Sequence, residues 1–281
     1  MIERGRALRS RLDAERSAGT TVGFVPTMGA FHEGHLGLLK RAVAERDLVV
    51  VSIFVNPLQF GPGEDFEAYP RQRERDLALA EEAGAALAYV PDLVDVYPSW
   101  PLEVSVDPGP LGERLEGAAR PGHFRGVATV VAKLFNRVGP STAYFGEKDA
   151  QQLALIRRMV QELDFPVEIV GCPIVREPDG LAMSSRNAYL GPEDRAAATC
   201  LHRALAAARR LAAGGERDAA ALRRVMARVV AAEARAELDY ATVVDEATFE
   251  EVPETLEGPS RAVIAARVGP ARLIDNERLR T

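Results

Sequence analysis

Apolar residues along this chain keep two alternating rhythms until about residue 187. Short, mostly continuous apolar runs rich in β-branched and aromatic residues lie at 21–26, 48–55, 86–90, 142–145 and 167–170. Runs of this kind predict strands of a parallel sheet buried on both faces. Between them Leu36, Leu39 and Val43, then Leu77 with Ala80, then Leu153, Ile156 and Val160 recur at helical spacing. The predicted crossovers are right-handed βαβ units, and the expected fold is α/β, a Rossmann-like doubly wound parallel sheet. Ligands in that architecture bind above the carboxyl ends of the strands.

The pattern changes after Leu190. Gly191-Pro192-Glu193-Asp194 supplies a turn, a proline suited to the first helical position and two acids for the first turn, so a helix is predicted from there toward Gly214-Gly215. A second helix is predicted over 218–236, then strands over 240–244, 262–268 and 272–274. The expected organisation is a first domain over 1–187 and a smaller C-terminal α+β domain over 188–281.

Candidate chemistry concentrates where strands end. The first run stops at Met28-Gly29-Ala30-Phe31, and two of the chain's four histidines, His32 and His35, follow three residues apart. With a helix starting near Gly34, both imidazoles and several unpaired backbone N–H groups would face one spot, a place for an anion such as a nucleotide phosphate. An ordinary β-turn-α connection with two polar histidines is the plainer reading, and a histidine metal site is a third. Other strand ends carry Asn56-Pro57-Leu58-Gln59-Phe60-Gly61, Tyr69-Pro70-Arg71, Gly146-Glu147-Lys148-Asp149-Ala150-Gln151-Gln152 and Met183-Ser184-Ser185-Arg186-Asn187. Any one of these reads as a solvated loop. Together they deliver two histidines, a lysine, an arginine, two serines and paired amides to the rim where the fold displays ligands, which turn chemistry does not explain.

Composition narrows the partners. At 281 residues, 47% apolar and 27% charged, the chain has the make-up of a soluble globular protein. Its net charge of −6 argues against a nucleic-acid partner, while a compact anion needs only a local basic patch. Cys172 and Cys200 have no paired spacing, so buried thiols are expected rather than a disulfide or a thiolate metal cluster. No signal-peptide pattern opens the chain, and the apolar run at 48–55 falls far short of the roughly 18 residues that span a bilayer. A cytoplasmic protein without a membrane partner is expected.

The motifs, in order and spacing, resemble the pantothenate synthetase family, the pantoate–β-alanine ligases. Pro26-Thr27-Met28-Gly29-Ala30-Phe31-His32-Glu33-Gly34-His35 is similar to that family's His-x-Gly-His segment, a motif of the nucleotidyltransferase type of fold, with Phe31 where leucine is more usual. Residues 51–61, Arg120-Pro121-Gly122-His123-Phe124, Gly146 to Asp149 with Gln151 and Gln152, and Met183 to Asn187 match as well. The resemblance implies ATP-dependent condensation of (R)-pantoate with β-alanine through a pantoyl adenylate, giving pantothenate, AMP and pyrophosphate. It implies an ATP site from Pro26 to His35, Gly146, Glu147, Lys148, Asp149, Val175, Met183, Ser184, Ser185 and Arg186. His35, His32, Lys148 and Arg186 would be catalytic, Gln59 and Gln152 would hold pantoate, and Gln59 would also meet β-alanine. Mg²⁺ with ATP and a homodimer are implied too. Where the family often has adjacent acids after Tyr-Pro-Arg, this chain reads Gln72-Arg73-Glu74-Arg75-Asp76. Asp76 is thus the candidate magnesium ligand, and Arg73 and Arg75 read as a solvated helix face. A nucleotidyltransferase that leaves the nucleotide on its product, and a nucleotide-sensing module without turnover, are the competing readings.

Overall fold

Parallel strands form at all five continuous apolar runs of the computed structural model, which describes residues 1–280. The chain divides into two compact units: Met1–Glu147 with Leu155–Pro173, and Lys148–Ala154 with the chain from Ile174 on.

In the first unit, helix α1 (Gly5–Ser17) precedes strand β1 (Val22–Thr27), helix α2 (Glu33–Glu45), strand β2 (Leu48–Ile53), helix α3 (Arg73–Glu82) and strand β3 (Leu87–Tyr89). Two single-turn helices follow, α4 (Leu93–Val96) and α5 (Glu116–Ala119), then the long α6 (His123–Val138) and strand β4 (Ser141–Gly146). Helix α7 (Ala150–Glu162), of which residues 150–154 count with the second unit, leads to strand β5 (Val167–Cys172). Sheet order is β3-β2-β1-β4-β5, parallel throughout. The chain therefore winds outward one way from β1 and the other way from β4, and the switch point between these neighbours opens a crevice at their carboxyl ends. Pro26 has no N–H to give, and it falls beyond Gly23 and Phe24, the stretch of β1 paired with β4 as well as β2. Val25, Phe31, Leu39, Val51, Tyr144 and Cys172 belong to the core over one face of this sheet.

Helix α6 has no counterpart among the predicted elements. Its segment carries the helical pattern nonetheless: Phe124 and the run Gly126–Ala132 are buried, while Arg125, Lys133 and Asn136 recur at helical spacing along the more exposed side.

In the second unit, helices α8 (Pro192–Ala198), α9 (Cys200–Ala213) and α10 (Ala219–Ala231) precede an antiparallel sheet ordered β6 (Ala236–Asp245), β7 (Ser260–Val268), β8 (Ala271–Arg280). Leu201, Leu205, Leu222 and Met226 pack with Ile264 and Val268 in its core. The single helix predicted after Gly191 is broken at Thr199, whose hydroxyl donates to Ala196 O at 2.7 Å and offers that carbonyl a partner other than the helix ladder. Both cysteines are buried and free, and burial pushes the Cys200 thiol up to about 11. Among the described residues no helix is long and apolar enough to cross a membrane.

Candidate functional site

The turn after β1 is held from below. Thr27 Oγ1 donates to Ser52 O at 2.7 Å and accepts from Gly29 N–H at 3.2 Å. Gly29 and Ala30 then take φ of 84° and 54°, left-handed values that cost a non-glycine residue such as Ala30 about 1–2 kcal/mol. Asp76 stabilises this shape: from α3, at 1% exposure, its two oxygens accept from Ala30 N–H at 2.8 Å and Phe31 N–H at 2.9 Å. A Cβ at position 29 would stand 2.8 Å from Asp76 Oδ2, so the close approach as well as the positive φ calls for glycine there.

Helix α2 begins at Glu33 with His32 as its N-cap, and His32 Nδ1 accepts from Gly34 N–H at 3.1 Å. In the neutral ring the proton is thereby assigned to Nε2, which can donate outward. His35 N–H goes to His32 O at 2.9 Å. Of the backbone N–H groups expected to be unpaired at this turn, those of Gly29, Ala30, Phe31, Gly34 and His35 have protein partners. The two imidazoles do share one face, with ring centroids 4.2 Å apart, and the buried Phe31 ring lies 5.4 Å from that of His35.

Beyond β2, Asn56 caps a three-residue 3-10 turn, Pro57–Gln59. The fully buried Asn56 accepts from the Tyr97 hydroxyl at 2.7 Å, and its amide donates to Gln59 Oε1 and to Gly126 O, both at 3.1 Å. Gln59 Nε2 reaches Met28 Sδ at 3.1 Å. Met28 and Gln59, predicted for different ligands, are thus neighbours. Burial raises the Tyr97 phenol well above its ordinary value, so it stays a donor.

In the second unit, Lys148 Nζ lies 3.6 Å from Asp149 Oδ1, and its main-chain oxygen accepts from Asn276 Nδ2 of β8 at 2.8 Å. Gln151 is buried and Gln152 half-buried. Met183 N–H donates to Val175 O at 3.0 Å, which places these two predicted residues side by side. Ser184 Oγ accepts from Arg186 N–H at 3.3 Å and caps the 3-10 turn Ser185–Tyr189. Asn187 Nδ2 ties that turn to Glu177 Oε1 at 3.0 Å and Ala182 O at 3.1 Å. Hydrogen bonding to Arg195 holds the Glu177 carboxyl below its usual value, so the anchor is ionised.

Asn56, Tyr97 and Asn276 act on the site without having been singled out for it. Asn56 before proline at a strand's end was a visible capping signal. Tyr97 and Asn276 had none, since their partners lie 41 and 128 positions away. Arg73 and Arg75 are exposed on α3, in keeping with a solvated face. Among the described residues no three His, Cys, Asp or Glu side chains converge as metal ligands.

Comparison with known proteins covers nearly the whole chain. The family model described as pantoate-beta-alanine ligase matches residues 1–278. A pantothenate synthetase of Heliobacterium modesticaldum is 55% identical over 276 residues, 98% of each chain, and one of Rubrobacter xylanophilus is 55% identical over 270 residues, 94% of this chain and 93% of that one. A crystal structure of pantothenate synthetase from Thermus thermophilus superposes with a TM-score of 0.92 at 49% identity, covering 100% of this chain and 99% of that one. The pantoate-beta-alanine ligase of Francisella tularensis, complexed with beta-gamma ATP and beta-alanine, gives 0.80 at 33% identity, covering 100% and 98%.

Proposed function

Because the chain belongs to the pantoate-beta-alanine ligase family, we propose that the residues described above divide an ATP-driven amide synthesis between charge stabilisation and substrate holding. The protein is an enzyme that joins pantoate to β-alanine with consumption of ATP. In the first step a pantoate carboxylate oxygen attacks the α-phosphate, the bond to the β-phosphate oxygen breaks, and pyrophosphate leaves a pantoyl adenylate. A free carboxylate is ionised at pH 7, so no base is required. In the second step the neutral amine of β-alanine attacks the acyl carbon, AMP departs and the amine loses its proton.

Charge builds on the transferring phosphoryl group and on pyrophosphate. His32, His35, Lys148 and Arg186 are the side chains suited to meet it, each cation interacting by up to roughly 4 kcal/mol at about 4 Å in an effective dielectric of about 20. The observation that carries this reading is the paired imidazoles 4.2 Å apart, with His32 Nδ1 engaged by Gly34 N–H so that in the neutral ring Nε2 carries the proton. Gln59 and Gln152 suit pantoate because an amide both donates and accepts without adding charge, and Gln59 suits β-alanine for the same reason. Gly146 to Asp149, Val175 and Met183 to Arg186 complete the assignment to ATP. All these positions precede residue 188, in keeping with a ligand-binding portion over 1–187 and a smaller one over 188–281 by sequence, while Lys148 and the residues from Val175 on count with the second compact unit.

Magnesium enters in this reading as part of the substrate, on ATP oxygens and water, as Mg²⁺ commonly does. Asp76 has each carboxylate oxygen engaged by a backbone N–H, which supports a role in shaping the turn rather than a main role in holding the ion.

The adenylate route predicts that labelled pyrophosphate enters ATP when enzyme, Mg²⁺ and pantoate are present without β-alanine, and that exchange vanishes when pantoate is omitted. No label in ATP from a preparation that turns over normally with all three substrates would refute it. A homodimer is supported by the family and by the outer edge of β5, which among the described residues pairs only with β4 and leaves Ile169 and Val170 half-buried. Sedimentation at micromolar concentration should give about twice the chain mass of 30.4 kDa, and a single species at that mass would exclude the dimer. The use of ATP supports a cytoplasmic setting.

A further inference from the structure

The run Arg120-Pro121-Gly122-His123-Phe124 takes no ligand in the reading above, yet two of its side chains converge on the main chain of Gln59. His123 Nδ1 lies 2.8 Å from Gln59 O, and Arg120 Nη2 lies 3.3 Å from the same oxygen. Arg120 Nη1 is 3.1 Å from His123 Nε2. A guanidinium only donates, so Nε2 is the acceptor and Nδ1 carries the hydrogen given to Gln59 O. Only the neutral ring in that tautomer satisfies both contacts. Arg120 is itself set by a two-pronged pairing with Glu64, at 2.8 and 2.6 Å. Burial first, then the Arg120 charge, hold the His123 imidazole down to about 4, against the opposing Gln59 bond and the Glu64 and Glu116 charges. The ring therefore stays neutral across the pH range in which the enzyme would work.

The turn being gripped cannot orient itself. Its own backbone bonds are long, 3.4 Å from Gln59 N to Asn56 O and 3.3 Å from Phe60 N to Pro57 O, and it has only three residues. Asn56 and Met28 position the Gln59 side-chain amide, but the backbone from which that side chain departs is anchored by His123 and Arg120.

We propose that Glu64, Arg120 and His123 form a positioning clamp on the Gln59 carbonyl, and that His123 is a positioning residue for pantoate binding. The proposal rests on the assignment of Gln59 to pantoate. Because the clamp touches neither His32 nor His35, its loss raises the KM for pantoate and leaves that for ATP in place.

Steady-state kinetics on the full chain test this. His123→Phe keeps a ring of similar size without the hydrogen bond, and should raise the pantoate KM about tenfold with the ATP KM changed less than about twofold. In His123→Asn the amide nitrogen falls where Nδ1 stood and can donate to Gln59 O, so the pantoate KM should return to within about threefold of wild type. A wild-type pantoate KM in His123→Phe, equal rises for both substrates, or no rescue by asparagine would overturn the clamp. If His123→Phe does not fold, Arg120→Lys carries the same test: it loses the planar fork, and an unchanged pantoate KM there overturns the proposal equally. Gln59→Ala separates the two claims. An unchanged pantoate KM in that variant removes the assignment of Gln59, whereas a raised one beside an unaffected His123→Phe removes the clamp alone.

Discussion

His35→Ala is expected to lower kcat by about 100- to 1,000-fold, the range found when one preorganised donor to a developing charge is removed. The contact proposed for His35 strengthens as negative charge moves onto the phosphoryl oxygens, so its loss should appear in kcat rather than in ATP affinity. Neighbouring groups limit substitution for it. His32 sits 4.2 Å away between ring centroids and is tied to Gly34 N–H through Nδ1, so it cannot swing across without uncapping α2. The buried Phe31 ring packs beside His35 and supplies no donor. The turn's backbone offers little relief, since the N–H groups of Ala30 and Phe31 are committed to Asp76. Single-turnover measurement of adenylate formation, with ATP affinity measured separately, checks the expectation. Near-wild-type rates would remove His35 from the chemistry, and an equal loss in affinity would make it a ground-state binding residue.

Gly126→Ala is expected to destabilise the protein by about 1–3 kcal/mol or more and to impair pantoate use, although alanine improves intrinsic helix propensity by about 1 kcal/mol over glycine. A Cβ at 126 would lie 2.3 Å from Leu58 O, 2.4 Å from Leu58 C and 2.6 Å from Gln59 N. Those are backbone atoms of the 3-10 turn, so no flexible side chain can move aside. Helix α6 cannot retreat, because Phe124, Val127, Val130, Val131, Leu134 and Phe135 bury it among its neighbours. The turn must give way, breaking the 3.1 Å bond from Asn56 to Gly126 O and shifting Gln59. Propensity and packing predict opposite signs, which makes the measurement decisive. Gly258→Ala, with nothing within 4 Å of the added carbon, is the control. An unchanged melting temperature and pantoate KM in Gly126→Ala would mean that α6 and the turn are less tightly joined than this geometry requires.

Much of the site was legible because its chemistry is local in sequence. His32 and His35 stand three positions apart at a strand end, so helix geometry alone brings their rings together, as the structure shows. The cap at Asn56 and the Ser184 turn are likewise short-range events, each a side chain accepting from an N–H two residues on. The fate of the turn's donors was not legible. Whether Ala30 and Phe31 N–H groups await an anion depends on Asp76, which lies 46 and 45 positions away and reads in sequence as a metal candidate because its position lies among the acids the family often carries. A carboxylate serves either purpose, and only burial against a particular backbone distinguishes them.

By itself, then, the sequence determined the five parallel strands, three of their four helical crossovers, a smaller α+β C-terminal portion and the ordered motif set whose family resemblance implied an ATP-using ligase. The elements rest on periodicity and propensity, which act over a few positions, and the ligase reading on the resemblance of the motif set to a known family. Tertiary structure alone decided that Gly126 admits the Gln59 turn, that His123 and Arg120 grip its carbonyl, and that Asn276 anchors Lys148. The reason is physical: a buried polar group needs a partner, but which distant residue supplies it is fixed only when the chain has packed.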